Sequence, residues 1–175
     1  TLFSEVPLKD YLNGLAKEYI WVAHNAEFDM DVLKKKGIDI PKYICTLKIA
    51  RNMLSEDDGK RDLESYSLQY LRYYLGLYKK ENEEGAIIAH DAMGDVHVLK
   101  NLFEYLKSNS SLSTENMMVI SKEPQFIRTI NFGKYTGYSL EDLVKTDREY
   151  LEWLLENTSD KKDLVYNVER VLSLG

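Results

Sequence analysis

Cysteine is nearly absent from this chain. Cys45 is the one thiol, so neither an intramolecular disulfide nor a cysteine-rich zinc site can form. A chain without disulfides suits a reducing compartment, and a cytoplasmic location is expected. No apolar run approaches the roughly 18 residues that a membrane span requires. No N-terminal stretch reads as a secretory signal, so no membrane partner is expected. Positive charge is also scarce: 23 Lys and Arg stand against 29 Asp and Glu, a formal net charge of −6. That balance argues against gripping nucleic acid through a broad basic surface. Phosphates could still be held through bound cations. What is present, 44% hydrophobic and 30% charged residues in a chain of 175, is the composition of a folded soluble protein. The length suits one ordinary domain, or a truncated domain with a small appendage. The chain starts at Thr1 without an initiator methionine, which leads to the expectation that it is a piece of something longer.

Tyr19-Ile-Trp-Val-Ala23 is a short uninterrupted apolar run, as expected of a strand covered on both faces. Leu8, Tyr11, Leu12 and Leu15 precede it at helical spacing. Ala26 to Lys36 reads as a second helix, closed by Gly37 with Pro41 beyond. Tyr43 to Thr46 reads as another buried strand, running into a helix over Leu47 to Leu54. Amphipathic helices are expected over Tyr66 to Leu75 and Asp91 to Lys107. Strands alternating with helices make this part α/β. Residues 108–122 begin Ser-Asn-Ser-Ser-Leu-Ser-Thr-Glu-Asn, the composition of a linker. Beyond them, Phe126 to Phe132 alternates like a strand, Gly133 and Gly137 bracket a turn, Ser139 can cap a helix, and Leu151 to Leu155 crowd one more. This C-terminal part is expected to be a small α+β module.

Two carboxylates fall where carboxylates are costly. On a helical wheel of the 26–36 segment, Asp29 lands at about 300° from Ala26, between Val32 and Leu33 and so inside the apolar arc. On the 91–107 helix, Asp95 falls at about 40° from Asp91, between Leu102 and Leu106. An ionised carboxylate in an apolar face costs several kcal/mol unless it is paired, hydrogen-bonded or metal-bound. Either Asp alone could cap a helix or pair with a buried base. Two of them converging make a site for a hard cation. His90 lies about 140° from Asp95, so it belongs to the loop or first turn before the helix, where a partly exposed imidazole suits a general base. His97 falls on the polar face. His24 ends the first strand and reads as a structural histidine.

These residues carry a resemblance. His24-Asn25-Ala26-Glu27-Phe28-Asp29 resembles the second motif, His-Asn-x-x-Phe-Asp, of the DEDDh group of 3′–5′ exonucleases, which includes the epsilon proofreading subunit of DNA polymerase III. His90-Asp91-Ala92-Met93-Gly94-Asp95 resembles the third motif, His-x-Ala-x-x-Asp. The resemblance covers residues 1–107 and implies a ribonuclease-H-like fold. It implies two divalent cations, Mg²⁺ or Mn²⁺, with Asp29 and Asp95 as ligands and His90 as the base that activates water. It places His24, Asn25 and Phe28 against the substrate, the 3′ end of single-stranded DNA. Residues 123–175 resemble the C-terminal module of exodeoxyribonuclease X, through Phe132-Gly-Lys-Tyr-Thr-Gly137, Leu140-Glu-Asp-Leu143 and Tyr150-Leu-Glu-Trp-Leu-Leu155. Its aromatic and basic turn either stacks bases and touches phosphates or packs its rings on Trp153 as a structural hairpin.

The family's first motif, a strand ending in Asp-x-Glu ahead of the second motif, has no counterpart here. Asp62-Leu63-Glu64 and Asp147-Arg148-Glu149 come too late in the chain. The resulting expectation is an N-terminally truncated 3′–5′ exodeoxyribonuclease of proofreading or repair, working beside a DNA polymerase or repair complex. The chain alone is expected to be inactive, to bind metal poorly, and to offer an uncovered sheet edge for a homodimer. The alternatives are a non-catalytic module that binds nucleic acid or a polymerase, and a 3′–5′ exoribonuclease.

Overall fold

The apolar segments at Tyr19–Ala23 and Tyr43–Thr46 are separated by 19 residues containing one helical pattern, which is the layout of a parallel strand pair with its crossover. A computed structural model describes residues 5–56, 59–79 and 92–174. In it Trp21–Ala23 (β1) and Tyr43–Cys45 (β2) pair in parallel, with Trp21 opposite Tyr43, Val22 opposite Ile44 and Ala23 opposite Cys45. Ala26–Lys35 (α2) supplies the crossover, Glu5–Glu18 (α1) precedes β1, and Thr46–Met53 (α3) follows β2 directly. Among the described residues Leu68–Tyr74 (α4), Ala92–Asn109 (α5), Thr114–Lys122 (α6), Leu140–Thr146 (α7), Arg148–Asn157 (α8) and Lys162–Leu174 (α9) follow, with a 3-10 turn at Gly133–Tyr135 ahead of α7. The described residues are thus mainly helical with one small parallel sheet. No described helix is long and apolar enough to cross a membrane.

The chain divides into two compact units, Thr1–Ile49 with Ser67–Lys122, and Ala50–Tyr66 with Glu123–Gly175. In the first unit, Ala16 of α1 packs with Ile38 and Ile40, and Leu12, Trp21, Met30, Leu33 and Tyr43 gather on them. Gly37 ends α2 at φ 75°, the left-handed conformation that a helix C-terminus often needs and glycine adopts without strain. Asn13 then clamps the exit: its amide donates to Gly37 O at 3.2 Å, and its oxygen accepts from Asp39 N–H at 3.1 Å.

The stretch expected as a linker instead carries α6, which packs against β2. The Ser-rich composition reflects capping, since Asn116 N–H donates to Ser113 Oγ at 3.1 Å. Farther on, buried Ser121 donates to Met117 O at 2.7 Å and accepts from Cys45 N–H at 2.8 Å. A side-chain hydroxyl therefore satisfies a strand amide that a further strand would otherwise pair.

The second unit is built on Ile130, Leu140, Leu143, Leu151, Leu154, Leu164, Val168 and Val171. The strand expected over Phe126 to Phe132 does not form, and the α+β module is helical among its described residues. Only the isolated antiparallel bridges Thr129–Ser139 and Glu56–Arg61 occur there. The reason is local: the amides of Arg128 and Thr129 donate to the Asp62 carboxylate, at 2.9 and 3.1 Å, instead of to a neighbouring strand. α9, for which no helix was expected, closes the core; its Asn167 donates to Gln125 O at 2.7 Å.

Candidate active site

The junction of β1 and α2 carries the first cluster of expected site residues. Asn25 turns the chain at φ 61°, ψ 46°, the single described non-glycine residue with positive φ. Asparagine enters this left-handed region more readily than most side chains, so the residue after His24 has a conformational task. The turn is pinned by Phe28 N–H on Asn25 O at 3.1 Å and by Ala26 N–H on the sulfur of buried Cys45 at 3.4 Å. His24 Nδ1 lies 2.9 Å from Thr46 Oγ1, which itself donates to Ala23 O at 3.3 Å. Because the threonine proton is used on that carbonyl, the hydroxyl oxygen is left to accept from Nδ1–H of the ring. Glu27 meets the ammonium of Lys48 at 2.6 Å; the lysine stem is buried and the carboxylate open to solvent.

Asp29 lies on the apolar arc of α2, but on a part of it that is not buried. It is exposed and, among the described residues, has no hydrogen-bond or ion-pair partner. Phe28 is 69% exposed and Val32 44% exposed. The apolar arc on α2 is wider than the covered one: Ala26, Met30 and Leu33 face the core, and the Phe28–Asp29–Val32 side is open. The wheel counted apolar residues, and only the neighbouring elements decide which of them are covered.

Asp95 is held differently. It is half-buried on α5 beside the buried stripe Gly94, Val98, Leu102 and Leu106. Gln69 Nε2 of α4, which packs against α5, donates to Asp95 Oδ1 at 3.0 Å. The amide is oriented in turn, since buried Arg72 Nη1 donates to Gln69 Oε1 at 3.2 Å. A hydrogen bond to an ionised carboxylate contributes about 1.5–3 kcal/mol, so the Asp is tolerated because it is partnered. Sequence reasoning missed Gln69, Arg72 and Thr46. The available signal was Arg72, four residues after Leu68 on the apolar side of its helix.

His90 and Asp91 lie outside the described residues. The structure brings His24 onto Thr46 and Asp95 onto Gln69. Among the described residues, no three His, Cys, Asp or Glu side chains gather as a metal-ligating group. Asp29 and Asp95 are oxygen donors of the kind Mg²⁺ and Mn²⁺ prefer, so the donor chemistry fits a hard cation while the described donor count stays at two.

The two late Asp-x-Glu sequences have structural work. Asp62 accepts the amides of Arg128 and Thr129 and lies 3.5 Å from the Arg128 guanidinium. Asp147 caps α8 by accepting Tyr150 N–H at 3.1 Å, and it takes the Tyr135 hydroxyl and the Lys134 ammonium. The Tyr135 hydrogen bond, first among these contacts, holds the Asp147 carboxyl below its ordinary pKa. Neither is a free catalytic pair.

Comparison with known proteins matches residues 5–86 to the 3′-5′ exonuclease family and residues 130–159 to the exodeoxyribonuclease X-like C-terminal family. The chain is similar to exodeoxyribonuclease 10 of Escherichia coli strain K12, 30% identical over 140 residues that make up 78% of this chain and 57% of that protein. The same figures hold for exodeoxyribonuclease 10 of a second Escherichia coli strain. The chain thus spans somewhat over half the length of the curated relatives it matches. No solved structure matches it. Residues 5–86, which carry the left-handed Asn25 and the exposed Asp29, thus resemble the 3′-5′ exonucleases, and residues 130–159 resemble the exodeoxyribonuclease X-like C-terminal family.

Proposed function

We propose that this chain is part of a metal-dependent 3′-5′ exodeoxyribonuclease that removes nucleotides from the 3′ end of single-stranded DNA, in proofreading or repair. The observation that carries the reading is Asp95, a carboxylate beside an apolar stripe that a neutral amide orients. A structural carboxylate in such a place gains most from a charged partner. One presented by a glutamine keeps its charge for a ligand. The β1–α2–β2 unit belongs, on this reading, to a ribonuclease-H-like fold.

Asp29 and Asp95 would hold Mg²⁺ or Mn²⁺, which supplies charge neutralisation at the scissile phosphate. His90 takes the proton of the attacking water as its oxygen bonds to phosphorus, and the bond from phosphorus to the 3′ oxygen breaks. Phe28, with its ring largely open to solvent, is suited to stack on the terminal base. Asn25 shapes the turn that presents Phe28 and Asp29, and His24, held on Thr46 at the head of that turn, lies against the substrate strand.

The test is hydrolysis of 5′-labelled DNA and RNA oligonucleotides by the full-length protein with Mn²⁺, against Asp29→Asn and Asp95→Asn. Each substitution is expected to lower the rate by about 10²–10³ or more while circular dichroism stays unchanged. Near wild-type hydrolysis by either variant, or RNA cleaved in preference to DNA, overturns the reading.

A further inference from the structure

Four aromatic rings stand in contact within the second unit. Tyr138 meets Tyr135 edge-on with centroids 5.4 Å apart, Tyr135 meets Tyr150 at 4.7 Å, and Tyr150 stacks on Trp153 at 5.9 Å. The two inner rings lean on the core formed by Ile130, Leu140, Leu143 and their neighbours. The two outer rings take no part in it: Tyr138 is 53% exposed and Trp153 52% exposed. The core is therefore closed without them, and stability gives no reason to leave two large π-faces in water.

A cation sits in the middle of the row. Lys134 Nζ lies 4.5 Å from the Tyr135 centroid and 5.2 Å from that of Tyr150. Its side chain is 63% exposed, and one of its contacts is Asp147 at 3.3 Å. An ammonium has three donors, so it can keep that carboxylate and reach another anion. Beside the row, Tyr135, Tyr138 and Arg61 rim a cavity of about 550 Å³, with Ser139, Asp142 and Thr146 supplying hydroxyl and carboxylate oxygens. Flat faces for stacking, a central ammonium and an adjoining polar cavity match a strand whose bases are unpaired and whose linkages are anionic. A duplex, with its bases already stacked inside, cannot use the open rings.

We propose that this unit holds a segment of single-stranded DNA, with bases stacked on Tyr138 and Trp153 and a phosphate at Lys134. The choice of DNA rests on the exonuclease reading above; the stacking surface itself does not. Because the chain carries a net charge of −6, affinity comes from stacking and one or two cations. The salt dependence should then be shallow. Each phosphate contact on a single strand contributes a slope of about −0.7 in log K against log salt, so a slope between about −0.7 and −1.4 is expected.

The experiment uses the 175-residue chain in EDTA, where no hydrolysis occurs, with a 5′-labelled thymidine oligonucleotide followed by fluorescence anisotropy. Tyr138→Ala and Trp153→Ala are each expected to weaken binding by about 5- to 100-fold. Lys134→Gln should weaken it several-fold and flatten the salt slope by about 0.7. In a Trp21→Phe background Trp153 is the sole tryptophan, and stacking should quench its emission. Unchanged circular dichroism keeps loss of binding separate from loss of fold. Equal binding by wild type and both alanine variants, duplex DNA held as tightly as single strand, a uridine oligonucleotide preferred, or no binding at all overturns the proposal. Since the assay holds no divalent cation, failure of the exonuclease reading would show in the Asp29 and Asp95 variants and leave this result standing.

Discussion

Asp62→Ala separates a structural carboxylate from a catalytic one. Asp62 heads the Asp-x-Glu sequence that most tempts assignment as a metal-binding pair, yet its oxygens are already committed. Oδ2 accepts the amides of Arg128 and Thr129 at 2.9 and 3.1 Å. Oδ1 lies 3.3 Å from the Tyr66 hydroxyl and 3.5 Å from Arg128 Nη1. Both ends of the ion pair are close to buried, at 13% and 11% side-chain exposure. Deleting the carboxylate removes the two amide hydrogen bonds to a charged acceptor, each worth about 1.5–3 kcal/mol, and the longer one from the Tyr66 hydroxyl, which keeps Leu54 O as an acceptor. Arg128 is not orphaned, because it also donates to Arg51 O and Asn52 O. The larger penalty of about 3–5 kcal/mol for a stranded buried charge is therefore avoided. A loss of about 3 kcal/mol results at the lower end of the range for the two amide hydrogen bonds, a sizeable share of a typical 5–15 kcal/mol. In a chain of this size it lowers Tm by about 6–12 °C. Asp62→Asn keeps one acceptor for the amides and should lose about half as much, while exposed Glu64→Gln should stay within about 0.5 kcal/mol. The assay is urea and thermal unfolding followed by Trp153 emission in the Trp21→Phe background. Wild-type stability in Asp62→Ala together with lost hydrolysis would refute the reasoning and return Asp62 to the chemistry.

Two further outcomes follow from the same geometry. Gln69→Leu removes the donor that orients Asp95 and should weaken Mn²⁺ binding by about 10- to 100-fold; electron paramagnetic resonance of free Mn²⁺ reads this without reference to turnover, and unchanged affinity would show that the amide only packs. Tyr66 is pushed up to about 12, first by burial. A group that holds its proton more tightly when folded contributes full stability below its unfolded pKa near 10. Stability should therefore fall as pH rises from about 10 towards 12, and Tyr66→Phe should flatten that fall in urea titrations at alkaline pH.

Local pattern carried much of the first unit. Two short apolar segments with one helix between them fix a parallel pair, because such strands need a crossover and α2 is the sole candidate. The spacing of Val98, Leu102 and Leu106 placed Asp95 beside a buried stripe by helical periodicity alone. Other features are invisible to pattern. Whether an apolar arc is covered depends on what packs against it, which left Phe28, Asp29 and Val32 in solvent. A Ser-rich segment can be a linker or a capped helix, and the difference lies in Ser121 meeting the Cys45 amide 76 residues away. An alternating segment becomes a strand only if its amides find a partner strand, and those of Arg128 and Thr129 found Asp62. Periodicity sets which way side chains point along an element. Partners distant in sequence decide which of those side chains are buried, satisfied, or left free to act.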